Sequence, residues 1–203
     1  MATLSRRERT DATRQATVEA LLAATIELLG EGTPFADLGI EQIVRRAGFS
    51  RPTFYTYFRD KRELIVKLGI RLHDAVAAAA DPWLNGQTGQ TRETLSAVLD
   101  AFHTHRETLI AITEAATYDP EVATFWRGFN ERFAAIATSR IHSGLPELDP
   151  AHASARAYAL VWMTERTLSE HLANPTREEA AILDELTVFW QTAARGPDDA
   201  PGE

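Results

Sequence analysis

Apolar residues along this chain recur at intervals of three and four, and no stretch alternates in twos. That spacing is the period of a helix face turned toward a core, not of a half-buried strand. Val18, Leu21, Leu22, Thr25, Ile26 and Leu29 form the first stripe. It predicts a helix from about Thr10 to Leu29, ended by Gly30, Gly32 and Pro34. Ile40, Ile43, Val44 and Ala47 stand at i, i+3, i+4 and i+7 of a short second helix. Leu64, Ile65, Leu68 and Leu72 continue a long fourth helix that begins at Asp60 and reaches the alanines at 77–80. Asp60 and Glu63 make a capping-box pattern at its start. Asp81–Thr91, with its Pro, Asn and Gly, reads as a loop. Five more stripes follow, centred on Leu99, Ile112, Phe129, Leu168 and Leu186. Breakers before Pro120, at Gly144–Pro146 and at Asn174-Pro175 help to set them apart. The expectation is an all-α chain of about nine helices.

The third helix is the short one. Gly48 closes the second helix where a left-handed backbone costs little, Ser50 caps the third, and Pro52 lies in its first turn. About two turns of helix are not stable alone. Phe54 and Phe58, one turn apart, are placed to anchor it. At about 100° per residue, Pro52, Thr53 and Thr56 then project outward, with Tyr55 and Tyr57 on the flanks. A small, hydrogen-bonding centre with phenols at its edges suits base edges and phosphates. Helical hairpins of this outline also occur in proteins that never meet DNA, so residue pattern alone leaves both readings open.

Charge sharpens the picture. The 203 residues carry a net charge of −8, unusual for a partner of nucleic acid. Residues 1–72, however, hold 12 Lys and Arg against 9 Asp and Glu, while residues 73–203 hold 9 against 20. A basic head on an acidic body is the distribution expected of a DNA reader. Residues 1–9, with Arg6, Arg7 and Arg9, read as a flexible basic arm, either solvated or lying along DNA. Arg45 and Arg46, on the polar side of the second helix, are further phosphate candidates. Lys61 stands beside the N-terminus of the fourth helix, where a phosphate is favoured. No apolar run approaches a membrane span, the N-terminus lacks the apolar core of a signal peptide, and there is no cysteine. A cytoplasmic protein is expected.

The run A-G-F-S-R-P-T-F-Y-T-Y-F-R-D-K-R-E-L, Ala47 to Leu64, resembles the signature of the TetR family of bacterial transcription regulators. The likeness extends more loosely back to about Thr17. It implies a helix-turn-helix DNA-binding domain over residues 10–72, a ligand-binding and dimerisation domain over 73–195, and a disordered tail over 196–203. It also implies that Thr53, Tyr55, Thr56 and Tyr57 touch DNA, that Ser50 and Arg51 reach its backbone, and that Lys61 contacts a phosphate. Gly39 departs from the family, which usually has Thr or Ser there to cap the second helix and bond a phosphate.

No enzyme motif is present: there is no phosphate-binding glycine loop, no nucleophile elbow and no Glu-x-x-His pair for a di-iron site. His103 and His105 point about 200° apart on a helix and do not converge on one metal. No cofactor is expected. In the body, Phe102, Trp126, Phe129, Phe133, Trp162 and Trp190 are candidate walls of an apolar pocket, with Tyr118, Tyr158 and Thr164 as polar anchors. Aromatics at helical spacing are equally the mark of a core. The family resemblance implies an inducer cavity among these helices and a dimer interface through the eighth and ninth, with Glu165, Arg166 and Glu170 as candidates for its polar rim. Ala159–His171 is similar to the ethionamide-activation-regulator subgroup, but carries Thr164 where that subgroup has a ligand-bonding asparagine. Thr cannot offer two N–H donors, so a different ligand or pose is implied. The expected partners are double-stranded DNA with a palindromic operator, a small hydrophobic effector and a second copy of the chain. The expected function is a repressor released from that operator by the effector. The alternative is a helical small-molecule binding protein that does not read DNA.

Overall fold

The computed structural model describes residues 6–85 and 90–194. Every regular element among them is a helix: α1 (Arg6–Gly30), α2 (Ile40–Ala47), α3 (Arg51–Tyr57), α4 (Lys61–Leu84), α5 (Thr91–Thr104), α6 (Arg106–Ala115), α7 (Pro120–Gly144), α8 (Pro150–Ala173) and α9 (Glu179–Ala194). No helix is long and apolar enough to cross a membrane among the described residues.

Two boundaries differ from expectation. α1 starts at Arg6, inside the stretch expected to be an unstructured arm. Residues 6–16 contain neither Gly nor Pro, so nothing there stops the helix from running back toward its end. The remainder of the arm, 1–5, and the tail, 196–203, lie outside the described residues. α4 runs through Pro82 to Leu84, where a loop was expected. A proline so near a helix end removes one hydrogen bond of the last turn. Trp83 offsets that loss: it is buried, and its ring meets that of Trp190 edge-on at 5.0 Å. Tertiary burial here outweighs the local breaker.

α1, α2, α3 and the start of α4 bury Leu21, Leu22, Leu38, Ile43, Phe54, Leu64 and Ile65 as a small head. In the body, α7 and α8 form the most extensive helix pair, and α4 lies against α5, α6 and α7. α4 thus belongs to both parts. Gly69 on α4 makes its close approach possible. A Cβ at this position would stand 2.5 Å from Ile112 Cδ1 and 2.7 Å from Phe125 Cε1.

Polar contacts fasten head to body. Glu114 of α6 accepts from the Phe35 and Ala36 N–H groups, at 3.3 and 3.2 Å, in the α1–α2 connection. Arg62 pairs with Asp119 and with Glu121, both at 2.7 Å. Asp119 also caps α7 through the N–H groups of Glu121 and Val122. Burial would raise its carboxyl, but those N–H groups and Arg62 outweigh burial and hold it below the ordinary carboxylate range.

Candidate functional site

The α2–turn–α3 unit is built as its sequence requires. Gly48 takes φ +75, and Phe49 N–H donates to Val44 O at 2.8 Å, closing α2. Ser50 caps α3, accepting from Thr53 N–H at 3.3 Å. Phe54 and Phe58 are 0% and 4% exposed, with ring centroids 5.5 Å apart. They hold the seven-residue α3 to the head and fix which side faces out. Pro52, Tyr55 and Thr56 are exposed; Thr53 and Tyr57 are half-buried at the margin of the same face. Thr53 Oγ1 lies 2.9 Å from Ser50 Oγ, and Thr56 Oγ1 donates back to Pro52 O at 3.1 Å. Arg51 reaches along the face to the Tyr55 hydroxyl at 3.2 Å, a bond that raises its already high pKa. Arg14 of α1 stands over the Tyr57 ring at 5.7 Å. The result is a two-turn ridge carrying hydroxyls, phenols and a guanidinium.

The cations around it divide. Arg45 is exposed and has no hydrogen-bond or ion-pair partner among the described residues. Arg46, taken from sequence as a phosphate contact, pairs instead with Glu31 at 2.8 Å and Glu27 at 3.4 Å, tying α2 to α1. Lys61, also taken as a phosphate contact, turns inward: its Nζ donates to the carbonyls of Phe35, Ala36 and Leu38 at 2.8, 2.7 and 3.2 Å. Burial lowers its pKa, against the pull of Asp37 and Glu114. Three carbonyls left open at the end of a connection are stronger local acceptors than solvent, and they claim the ammonium. At Gly39 the backbone N–H is taken by Gln42 Oε1 at 2.7 Å, so the α2 entrance is satisfied without a capping hydroxyl.

In the body, a cavity of about 90 Å³ lies between α4, α5, α7, α8 and α9. Phe102, Phe129, Phe133, Thr164 and Trp190 line it. Thr164 accepts from Trp190 Nε1 at 2.8 Å. The other sequence candidates lie elsewhere. Trp126 stacks behind Phe129, centroids 4.6 Å apart. Tyr118 and Tyr158 are half exposed, and Trp162 packs beside Tyr158 with its buried Nε1 unpartnered. The reason is rotational: Trp162 and Thr164 are two residues apart, about 200° around one helix, and cannot face one cavity. Trp83, Asn130 and Glu165 line the wall without having been expected there. Asn130 could have been found one turn beyond Trp126 on the inward stripe. Nothing local marks Glu165, which sequence placed at a dimer rim. It is 7% exposed, while its neighbours Arg166 and Glu170 pair with each other on the surface at 2.8 Å. No group of three His, Asp or Glu residues is placed to hold a metal among the described residues.

Burial raises the Glu165 carboxyl above its ordinary value of 4.5, opposed by the Ser169 hydroxyl and by Arg166. The folded chain therefore holds that proton more tightly than the unfolded one. The stability contributed by the neutral carboxyl is complete below pH 4.5 and is lost as pH rises through the folded pKa. Glu165→Gln should accordingly gain on the native chain as pH rises from about 4 to about 7. Urea unfolding at both ends of that range checks this, and an equal stability difference at both would contradict it.

Comparison with known proteins converges. The family profile described as "Bacterial regulatory proteins, tetR family" matches residues 21–68, and "Transcriptional regulator EthR, C-terminal domain" matches residues 91–196. The HTH-type transcriptional regulator EthR of Mycobacterium tuberculosis is 31% identical over 190 residues, covering 88% of this chain and 87% of that protein. Its namesake in Mycolicibacterium smegmatis is 29% identical over 189 residues, with 88% and 86% covered. A TetR-family regulator from Syntrophomonas wolfei superposes with a TM-score of 0.74 at 14% identity, over 91% of this chain and 97% of that one. A TetR-like regulator from Rhodococcus sp. RHA1 gives 0.62 at 22% identity, with 93% and 97% covered.

Proposed function

Because this chain belongs to the TetR family of helix-turn-helix, DNA-binding transcription regulators, we propose that it is a repressor. Two copies joined through α8 and α9 bind a palindromic operator, and a small apolar effector entering the body releases them. The carrying observation is α3 itself: Phe54 and Phe58 are buried while Pro52, Tyr55 and Thr56 face out. Thr53, Tyr55, Thr56 and Tyr57 would meet the bases; Ser50, Arg51 and Arg45 would meet the backbone. Two-fold symmetry sets paired recognition helices about 34–36 Å apart, one turn of the duplex. The exposed Tyr158 of α8 and Val188 and Phe189 of α9 support pairing there, since apolar groups half open to water gain by association. For release, the effector must fit a state with a different head spacing better than the DNA-bound one; only that difference in affinity shifts the population. The contacts of Glu114 and Arg62 with the two ends of the head would carry the shift.

Thr53→Ala and Tyr55→Ala are each expected to weaken operator binding about tenfold or more, the value of a lost base contact. The dimer should be unchanged by gel filtration. Native affinity in both variants, at one fixed salt concentration, would remove α3 from the interface. A salt titration of the native chain should show the steep loss typical of several phosphate contacts. A flat response would favour a helical small-molecule binder instead.

A further inference from the structure

The cavity wall is apolar except for threonines, Asn130 and Glu165, and Glu165 is the one ionisable residue on it. Its polar atoms are unevenly supplied. Glu165 Oε1 accepts one hydrogen bond, from Ser169 Oγ at 2.8 Å, and no other described residue donates to the carboxyl. The nearest cation in sequence, Arg166, faces solvent and is engaged by Glu170. Asn130 gives its N–H to Trp126 O at 3.2 Å, which leaves its oxygen as an acceptor. Thr164 already accepts from Trp190. The wall thus holds acceptors in excess and one buried acid without a counter-charge. A buried carboxylate is costly until it is paired, and a charge-assisted N–H bond is the strongest pairing open to it.

We infer that the cavity selects a molecule with a small apolar body and one protonated amine, the ammonium seated against the Glu165 carboxylate. This rests on the effector reading above and narrows it to a chemical class. At about 90 Å³ the cavity is smaller than the roughly 150 Å³ site known to admit benzene, so short chains fit first and longer ones must displace rings such as Phe133.

The test uses the full chain with butylamine, hexylamine, the matching alcohols and butyrate. Fluorescence of Trp83 and Trp190, both on the wall, reports binding. Each amine should bind about tenfold or more tighter than the alcohol of equal length, and butyrate more weakly than either. Glu165→Gln keeps an acceptor for Ser169 and should abolish the preference. Should that variant lose its helical circular dichroism, Glu165→Asp keeps the charge on a shorter arm and should reduce the preference several-fold. Equal binding of amine and alcohol to the native chain overturns the inference, as does an amine preference that survives both substitutions, which would be attraction to the acidic surface. Alcohols that bind without any amine advantage leave the effector reading standing and overturn this one alone. If no probe binds, the effector reading falls and takes this inference with it.

Discussion

Phe54→Ala is expected to abolish operator binding while leaving most of the helical content in place. Phe54 is fully buried, and truncating such a ring costs about 3–5 kcal/mol. The cost falls on a weak element. α3 has seven residues, so its own hydrogen bonds cannot sustain it, and Phe54 and Phe58 are its inward anchors. The body keeps its own core, which includes Leu99, Phe102, Leu109, Ile112 and Phe129. The variant should therefore show an early unfolding transition for the head, a largely retained circular dichroism signal and no operator shift. Tyr55→Ala is the contrast, because Tyr55 is 49% exposed: DNA binding should fall there with little change in stability. A Phe54→Ala protein that unfolds at the native midpoint would mean that α3 is held by something else.

Gly69→Leu is expected to cost about 2 kcal/mol in the body and to weaken operator binding from a distance. Two effects oppose each other. Replacing a mid-helix glycine by Leu recovers up to about 1 kcal/mol of helix propensity. Overpacking a filled contact costs about 1–3 kcal/mol. The geometry favours the second, since even a Cβ would overlap Ile112 Cδ1 and Phe125. Relief must come from α4 backing away from α6 and α7, which changes how the head is carried. Gly69→Ala with Ile112→Val isolates the cause, because the valine lacks the Cδ1 atom in the way. Denaturation midpoints should show Ala at position 69 better tolerated in that background than in the native one. Equal tolerance would show that the close approach is not what holds α4.

The parts legible in sequence are those set by short-range rules. The turn at Gly48, the cap at Ser50, the cap at Asp60 and the paired phenylalanines each depend on a few neighbouring residues, and each stands where its local chemistry puts it. What escaped was decided across the fold. Pro82 reads locally as a stop, and only the meeting of Trp83 with Trp190 explains why α4 continues. Trp162 reads as a pocket aromatic until the rotation of α8 is fixed by its packing on α7. Glu165 reads as surface charge because its burial depends on four neighbouring helices. Arg46 and Lys61 read as free cations because the groups that capture them, Glu27, Glu31 and the Phe35–Leu38 carbonyls, are distant in sequence.

The position of Lys61 bears on the ionic bookkeeping of operator recognition. Its three N–H hydrogens are matched by three main-chain oxygens of its own subunit, so in this geometry its charge is already neutralised by peptide dipoles. A cation in that condition displaces no sodium from a duplex. The number of ions set free per half-site should then fall one short of what the basic residues of the reading head suggest, and Lys61 would serve the complex by keeping the α1–α2 connection in shape.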